Sequence, residues 1–364
     1  MGGQSAPGEQ GTTMNSPFPA RLSRRALLST GGALSAGALL TACGDNSPTG
    51  SAGDGTDANA PSGAFRFTDD RGETVELDAV PERIVAYVGT AAALHDYGIR
   101  SVGVFGPTTN PDGTPGPQAG RLDLDDIRVL GTAWGEFDIE DYTVLEPQLL
   151  VTNMFEPGAL WYVPDESADT IAGLAPTLGI LVAPTADRPG IRLGDVIDRY
   201  TQLATALGAD LTTTAVTEAK ARFEAAAEAV RRAARDNPGI KVLACSGAAD
   251  LFYVSDSSSA ADLAWFQELG VELIVPEHVD AGGFFESLSW ENADAYPADL
   301  LLMDSRGVAL QPDDLADKPT FTRLPAVEAG QITGWNSEPV PSHAGCAPLL
   351  ENLAEALRTA RKVS

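Results

Sequence analysis

The chain has 364 residues, of which 43% are hydrophobic, and carries a formal net charge of −27 at pH 7. The hydrophobic fraction is that of an ordinary globular protein, and the length favours two domains over one. So negative a surface repels nucleic acid and anionic lipid head groups, which excludes both as partners.

The N-terminal segment has the pattern of an export signal. The pair Arg24-Arg25 precedes a weakly apolar run, and small residues precede Cys43. This run is shorter and more polar than a membrane-spanning helix, which needs about 20 apolar residues, so residues 1–42 are interpreted as a cleaved signal peptide. The arginine pair favours the twin-arginine (Tat) route, with the general secretion route left open.

Cleavage before Cys43 would make this cysteine the lipidated N-terminus of a lipoprotein, anchored at the extracytoplasmic face of the cell membrane through its lipid alone. Residues 43–63 then form a flexible tether, because they are rich in Gly, Ser, Asp and Pro and almost free of apolar side chains.

The first half of the body predicts parallel βαβ units after a hairpin at 64–77. Strands are predicted at Arg83–Val88, Ser101–Phe105, Arg128–Leu130, Leu149–Thr152 and Ile180–Val182, and helices at Ala91–Tyr97, Ile139–Leu145, Asp169–Ala175 and Ile191–Leu207. This half is taken as an N-terminal α/β lobe over 64–211.

A long helix, Thr214–Ala234, is predicted from its Ala, Glu and Arg content and from the Asn237-Pro238-Gly239 stop. Strand–helix alternation then restarts and ends with a helix over 348–362. We therefore expect two α/β lobes, 64–211 and 238–364, joined by an interlobe helix over 212–237.

Two cysteines remain in the part of the chain that follows the tether. Cys245 and Cys346 either pair, as an oxidising compartment permits, or stay as two buried thiols.

The sequence has no Gly-x-Ser-x-Gly elbow, P-loop or His-Glu-x-x-His motif, so we expect no enzyme. The three histidines, His95, His278 and His343, are far apart, so we expect no site for a bare metal ion.

Four passages together resemble the siderophore- and cobalamin-binding proteins of ABC importers. They are Pro81–Gly98 (PERIVAYVGTAAALHDYG), Phe137–Val151 (FDIEDYTVLEPQLLV), Leu288–Met303 (LSWENADAYPADLLLM) and Phe321–Ile332 (FTRLPAVEAGQI). The resemblance implies two α/β lobes on one rigid helix, as in class III periplasmic binding proteins, with the ligand in the cleft between them. It also implies a monomer that delivers a small-molecule metal chelate to an ABC importer permease.

The resemblance further implies two docking carboxylates. Glu140 and Glu291 match the glutamates that pair with importer arginines, one on each lobe, and a carboxylate suits the bidentate guanidinium fork. The alternative is that each is an acid favoured at a helix N-terminus, and Glu136 competes with Glu140 for the role.

Ligand-binding candidates are the large aromatic residues and one arginine near the ends of predicted strands, where α/β proteins bind ligands. Trp335 is expected in a loop, away from the core, and Arg306 is expected to meet hydroxamate, catecholate or carboxylate oxygens. The full set is Tyr87, Trp134, Trp161, Tyr162, Tyr253, Phe284, Phe285, Arg306 and Trp335.

The sequence thus predicts a lipid-anchored binding protein that captures an iron(III)–siderophore complex, with no covalent cofactor. Cobalamin or haem as the ligand, and a sensor or adhesion lipoprotein without transport, remain alternatives. A lipoprotein hydrolase is disfavoured because the nucleophile motif is missing.

Overall fold

The computed structural model describes residues 63–364. The signal peptide, Cys43 and nearly all of the tether lie outside the described residues. Within 63–364 no helix is long and apolar enough to cross a membrane.

The first lobe is a five-stranded parallel sheet in the order β5-β4-β3-β6-β7, preceded by the predicted hairpin. Its strands are fully buried at the centre because helices cover the sheet. The elements are β1 (Phe65–Thr68), β2 (Thr74–Leu77), β3 (Ile84–Tyr87), α1 (Val88–Asp96), β4 (Gly103–Phe105), β5 (Arg128–Val129), α2 (Ile139–Val144), β6 (Leu149–Met154), α3 (Ala168–Leu174), β7 (Thr177–Leu181) and α4 (Leu193–Ala206).

The hairpin is fastened to the sheet edge by its turn. Asp69 is buried and accepts hydrogen bonds from the backbone amides of Arg71, Glu73 and Gly179, while the Arg71 guanidinium reaches the Thr177 carbonyl at 2.7 Å. A buried carboxylate with this many donors is fully compensated, so the turn sequence also fixes where the hairpin lies.

The second lobe has a mixed sheet in the order β11-β9-β8-β12-β13, with β10 also beside β8. Strands β10, β12 and β13 run parallel to their neighbours, whereas β9 pairs antiparallel with both β8 and β11. The elements are α5 (Thr214–Asp236), β8 (Lys241–Gly247), β9 (Leu251–Ser255), α6 (Ala261–Glu268), β10 (Glu272–Leu273), β11 (Phe285–Ser289), β12 (Leu300–Asp304), α7 (Pro319–Thr322), α8 (Pro325–Glu328), β13 (Ile332–Trp335) and α9 (His343–Thr359).

The predicted two-lobed α/β class is confirmed, with α5 between the lobes, and both α5 and α4 pack against the cores of the two lobes. Helix α5 contributes Val216 to the first core and Phe223 to the second. Helix α4 does the same with Tyr200 and Ile197. The division at 64–211, 212–237 and 238–364 stays a prediction, although α5 falls within the middle segment.

Of the two alternatives left open for Cys245 and Cys346, the structure has the second, because both thiols are free and buried. Cys245 lies against Met303 in one apolar cluster, at 3.6 Å between sulfurs, and Cys346 donates to the Val340 carbonyl from another. Each sulfur is thus packed among its own neighbours, and the two cysteines lie on different sides of the second sheet's core.

Candidate ligand-binding cleft

A cleft between the lobes holds about 990 Å³ of space, part of it open to solvent. The carboxyl ends of strands from both sheets meet there, as expected for a ligand site in α/β proteins. The first lobe supplies Asn153 and Phe155 from β6, and the second supplies Ser246, Asp304 and Trp335 from the ends of β8, β12 and β13.

Aromatic side chains from both lobes form the walls of the cleft. Phe155 and Phe284 approach each other across it, with ring centroids 6.5 Å apart. Tyr253 and Phe285, on the neighbouring strands β9 and β11, pack edge to face at 4.7 Å. Flat apolar walls of this kind suit a large ligand with a hydrophobic surface.

Five of the nine predicted ligand residues line this cleft, namely Tyr253, Phe284, Phe285, Arg306 and Trp335. The sequence missed Phe155 and the four acids Asp256, Asp262, Asp304 and Glu338. Nothing local distinguishes these acids in a chain with 51 acidic residues.

The expectation that Trp335 lies in a loop away from the core is wrong. It is the last residue of β13 and is only 3% exposed. Its indole Nε1 donates a 2.7 Å hydrogen bond to Asp262. Burial raises the pKa of Asp262 from 3.8 to about 6, although the Trp335 hydrogen bond opposes the rise.

Arg306 is buried and already carries two anionic partners. Its guanidinium binds Asp304 in a fork, with Nη2 at 2.7 Å, and its Nη1 binds Glu338. The two carboxylates raise the pKa of Arg306 in spite of its burial, so it stays charged. Its positive charge is therefore largely neutralised by these two carboxylates.

Glu338 connects the lobes. Besides Arg306, its carboxylate accepts hydrogen bonds from the Tyr87 hydroxyl and, at 3.3 Å, from the Trp161 indole. Burial, and then the nearby Glu338, raise the pKa of Tyr87, so this hydroxyl remains a donor.

The other four predicted residues, Tyr87, Trp134, Trp161 and Tyr162, form an aromatic cluster beside the cleft. Trp134 packs on Trp161 and Tyr162 at 4.8 and 5.1 Å and is 40% exposed. Phe155 joins the cluster to the cleft, since its ring lies 4.6 Å from that of Trp161. The cluster supports the cleft wall from the first lobe.

A buried polar network sets Asn153 at the cleft floor. Its side-chain oxygen accepts from the Tyr200 hydroxyl, which also lies 2.7 Å from the Thr90 hydroxyl. Because such groups are costly to bury unpaired, the three side chains fix one another between β6, α1 and α4.

Glu140 and Glu291 are both exposed, one on each lobe. Glu140 is the second residue of α2, and Glu291 follows Trp290 in a short 3-10 turn. The carboxylate of Glu136, the competitor of Glu140, already accepts hydrogen bonds from the backbone amides of Thr132 and Ala133. Over residues 63–364, no group of three or more His, Cys, Asp or Glu side chains is placed to hold a metal ion.

Two α/β lobes with a rigid connection and an aromatic cleft define a class III periplasmic binding protein. The chain belongs to the periplasmic binding protein family, whose model matches residues 86–339. This is a family of extracytoplasmic solute-binding proteins.

Solved structures agree with this assignment. DesE, a ferric-siderophore receptor protein from Streptomyces coelicolor, is 48% identical, with a TM-score of 0.78 over 82% of this chain and 100% of DesE. Two others share the fold. The siderophore periplasmic binding protein from the fuscachelin gene cluster of Thermobifida fusca is 21% identical, with a TM-score of 0.54 over 76% and 96% of the chains. Staphylococcus aureus SirA, complexed with staphyloferrin B, is 18% identical, with a TM-score of 0.56 over 81% and 99%. The curated proteins yield no match.

Proposed function

We propose that this protein captures an iron(III)–siderophore complex outside the cytoplasm and delivers it to an ABC importer. The observation that carries the proposal is the aromatic interlobe cleft in a chain 48% identical to a ferric-siderophore receptor protein. Both lobes contribute aromatic side chains to the cleft, and the described residues offer no cluster of donors for naked iron. The iron would therefore enter inside its chelator, as a non-covalent ligand.

Binding is tested by titrating the purified protein with ferric siderophores, their iron-free forms, haem and cobalamin, following tryptophan fluorescence and heat of binding. We expect the ferric complexes to bind and the variant Phe284→Ala to bind at least about tenfold more weakly, since its ring is part of the wall. Val308→Ala, at an exposed position outside the cleft, is the matched control. Binding of haem or cobalamin in preference to every ferric siderophore would overturn the proposal.

Importer docking is assigned to Glu140 and Glu291. Both are exposed, and neither belongs to an ion pair among residues 63–364. Hydrogen bonds from its own backbone amide and from Ser289 hold the pKa of Glu291 below its ordinary value, so its carboxylate is charged at neutral pH. Each is thus available to an arginine of the permease.

The variant Glu140→Arg/Glu291→Arg should abolish iron uptake by cells while leaving ligand binding unchanged. The exposed acids Glu82 and Glu328 provide the matched double reversal, Glu82→Arg/Glu328→Arg, which should transport normally. Normal uptake by the first variant would remove the docking assignment of Glu140 and Glu291.

Membrane attachment is assigned to lipidation of Cys43 after export and cleavage of residues 1–42. The variant Cys43→Ser should move the protein from the membrane to the soluble extracytoplasmic fraction. Replacement of Arg24-Arg25 by two lysines should block export if the Tat route is used, whereas undiminished export would assign the protein to general secretion.

A further inference from the structure

The cleft is acidic as well as aromatic. Four carboxylates line it, whereas Arg306 is the one basic residue among its described lining. The acids Asp256, Asp262, Asp304 and Glu338 are all at least nine-tenths buried, so water screens them poorly. The excess of negative charge in the cleft therefore disfavours a negatively charged ligand.

Arg306 does not offset this excess. Asp304 and Glu338 already bind its guanidinium, so the three groups together carry a net negative charge. An anionic ligand that approaches Arg306 would also meet these two carboxylates.

Asp256 and Asp262 add two further acids that are in no ion pair within residues 63–364. Asp256 accepts from the amide and hydroxyl of Ser258, at 3.0 and 2.5 Å. Asp262 accepts from Trp335 and from the Leu263 amide. These neutral donors hold the carboxylates in place without cancelling their charge.

The aromatic walls do not offset these acids. The side chains of Phe155, Phe284 and Trp335 carry no formal charge, so the carboxylates set the sign of the local field. Apart from Arg306, the described lining has no basic side chain that could bind a polyanion.

We propose that this cleft selects ferric chelates that are neutral or positively charged overall and rejects polyanionic ones. This deepens the proposed function and rests on it. The selectivity is electrostatic, and because the four carboxylates are buried it should persist as the salt concentration rises.

The test compares three probes with the full protein at pH 7.5, in low and in high salt. They are cationic ferrioxamine B, neutral ferrichrome and trianionic ferric enterobactin. We expect the cationic or neutral chelate to bind at least about a hundredfold more tightly than the trianionic one, and this preference to remain in high salt.

Asp256→Asn separates charge from shape, because the amide keeps the size of the side chain and an acceptor for Ser258. It should weaken binding of the cationic probe about three- to tenfold and strengthen binding of the trianionic one. Asp262→Asn should act in the same sense, and Glu328→Gln, outside the cleft, should change neither. Tight binding of ferric enterobactin, or equal effects of Asp256→Asn on both charged probes, would overturn the inference while leaving siderophore binding intact. Failure of all three probes to bind would overturn the proposed function as well.

Discussion

The hydroxyl of Tyr87 donates a hydrogen bond to the carboxylate of Glu338, which lies 251 positions later in the chain. Tyr87 ends β3 in the first lobe, and the same carboxylate binds Arg306 beyond the end of β12 in the second. One buried anion therefore connects the carboxyl edges of both sheets. The connection lies at the ligand cleft, because Glu338 and Arg306 are both part of its lining.

Replacing this anion should loosen the connection. We expect Glu338→Gln to lower the free energy of unfolding by about 2–4 kcal/mol, because Arg306 loses one of its two buried counter-charges. Tyr87→Phe removes only the hydroxyl and should cost about 1 kcal/mol. Urea denaturation measures both. A Glu338→Gln protein as stable as the wild type would show that the connection contributes nothing to stability.

Gly106 makes room for the Tyr87 ring. Its φ is +98°, and a Cβ there would lie 2.6 Å from the ring. Gly106→Ala should therefore cost about 2–4 kcal/mol, from backbone strain together with overpacking. Gly98, with φ of +86° and nothing within 4 Å, isolates the strain alone, and Gly98→Ala should cost about 1–2 kcal/mol. Equal losses in the two variants, measured by thermal unfolding, would exclude a role for the contact with Tyr87.

The βαβ pattern of the first lobe could be predicted because its signals are local. Buried β-rich runs and the glycines that end helices lie within a few residues of the elements they define. The antiparallel pair β9 and β11 could not be predicted in this way. Leu288 pairs with Phe252 across the intervening α6, and nothing near either strand specifies that register.

The same limit separates the cleft residues that were predicted from those that were not. Aromatic side chains such as Phe284 stand out in any sequence. Glu338 and Asp262 do not, since their importance comes from partners such as Tyr87 and Trp335, which only the fold brings near. Trp335 was predicted to lie in a loop for a related reason. It is the buried last residue of a strand, but the polar residues that follow it in the sequence indicate a loop.

The two buried thiols should not react with alkylating reagents in the native protein. Burial raises the pKa of both Cys245 and Cys346, so little thiolate forms at pH 8. We expect iodoacetamide to leave both unmodified in the folded protein and to alkylate both in urea without reductant. Peptide mapping by mass spectrometry distinguishes them from Cys43, and a peptide that links Cys245 to Cys346 would contradict the structure.

Asp262 should make the stability of the protein depend on pH. Its pKa is about 6 in the folded state, against an ordinary value of 3.8, so the native protein binds more protons than the unfolded chain between these values. Its contribution to stability is present below about pH 4 and is lost as the pH rises through 6. A rise in pKa from 3.8 to about 6 corresponds to about 3 kcal/mol.

The variant Asp262→Asn isolates this contribution, because the amide oxygen still accepts from the Trp335 indole but does not ionise. Relative to the variant, the wild type should lose about 2–3 kcal/mol of unfolding free energy between pH 4 and pH 7, which urea titrations at each pH measure. A difference between the two proteins that stays constant over this range would mean that the buried carboxylate is ionised throughout. Asp262 would then present a full negative charge to the cleft even at pH 4, and discrimination against polyanionic chelates should persist there undiminished.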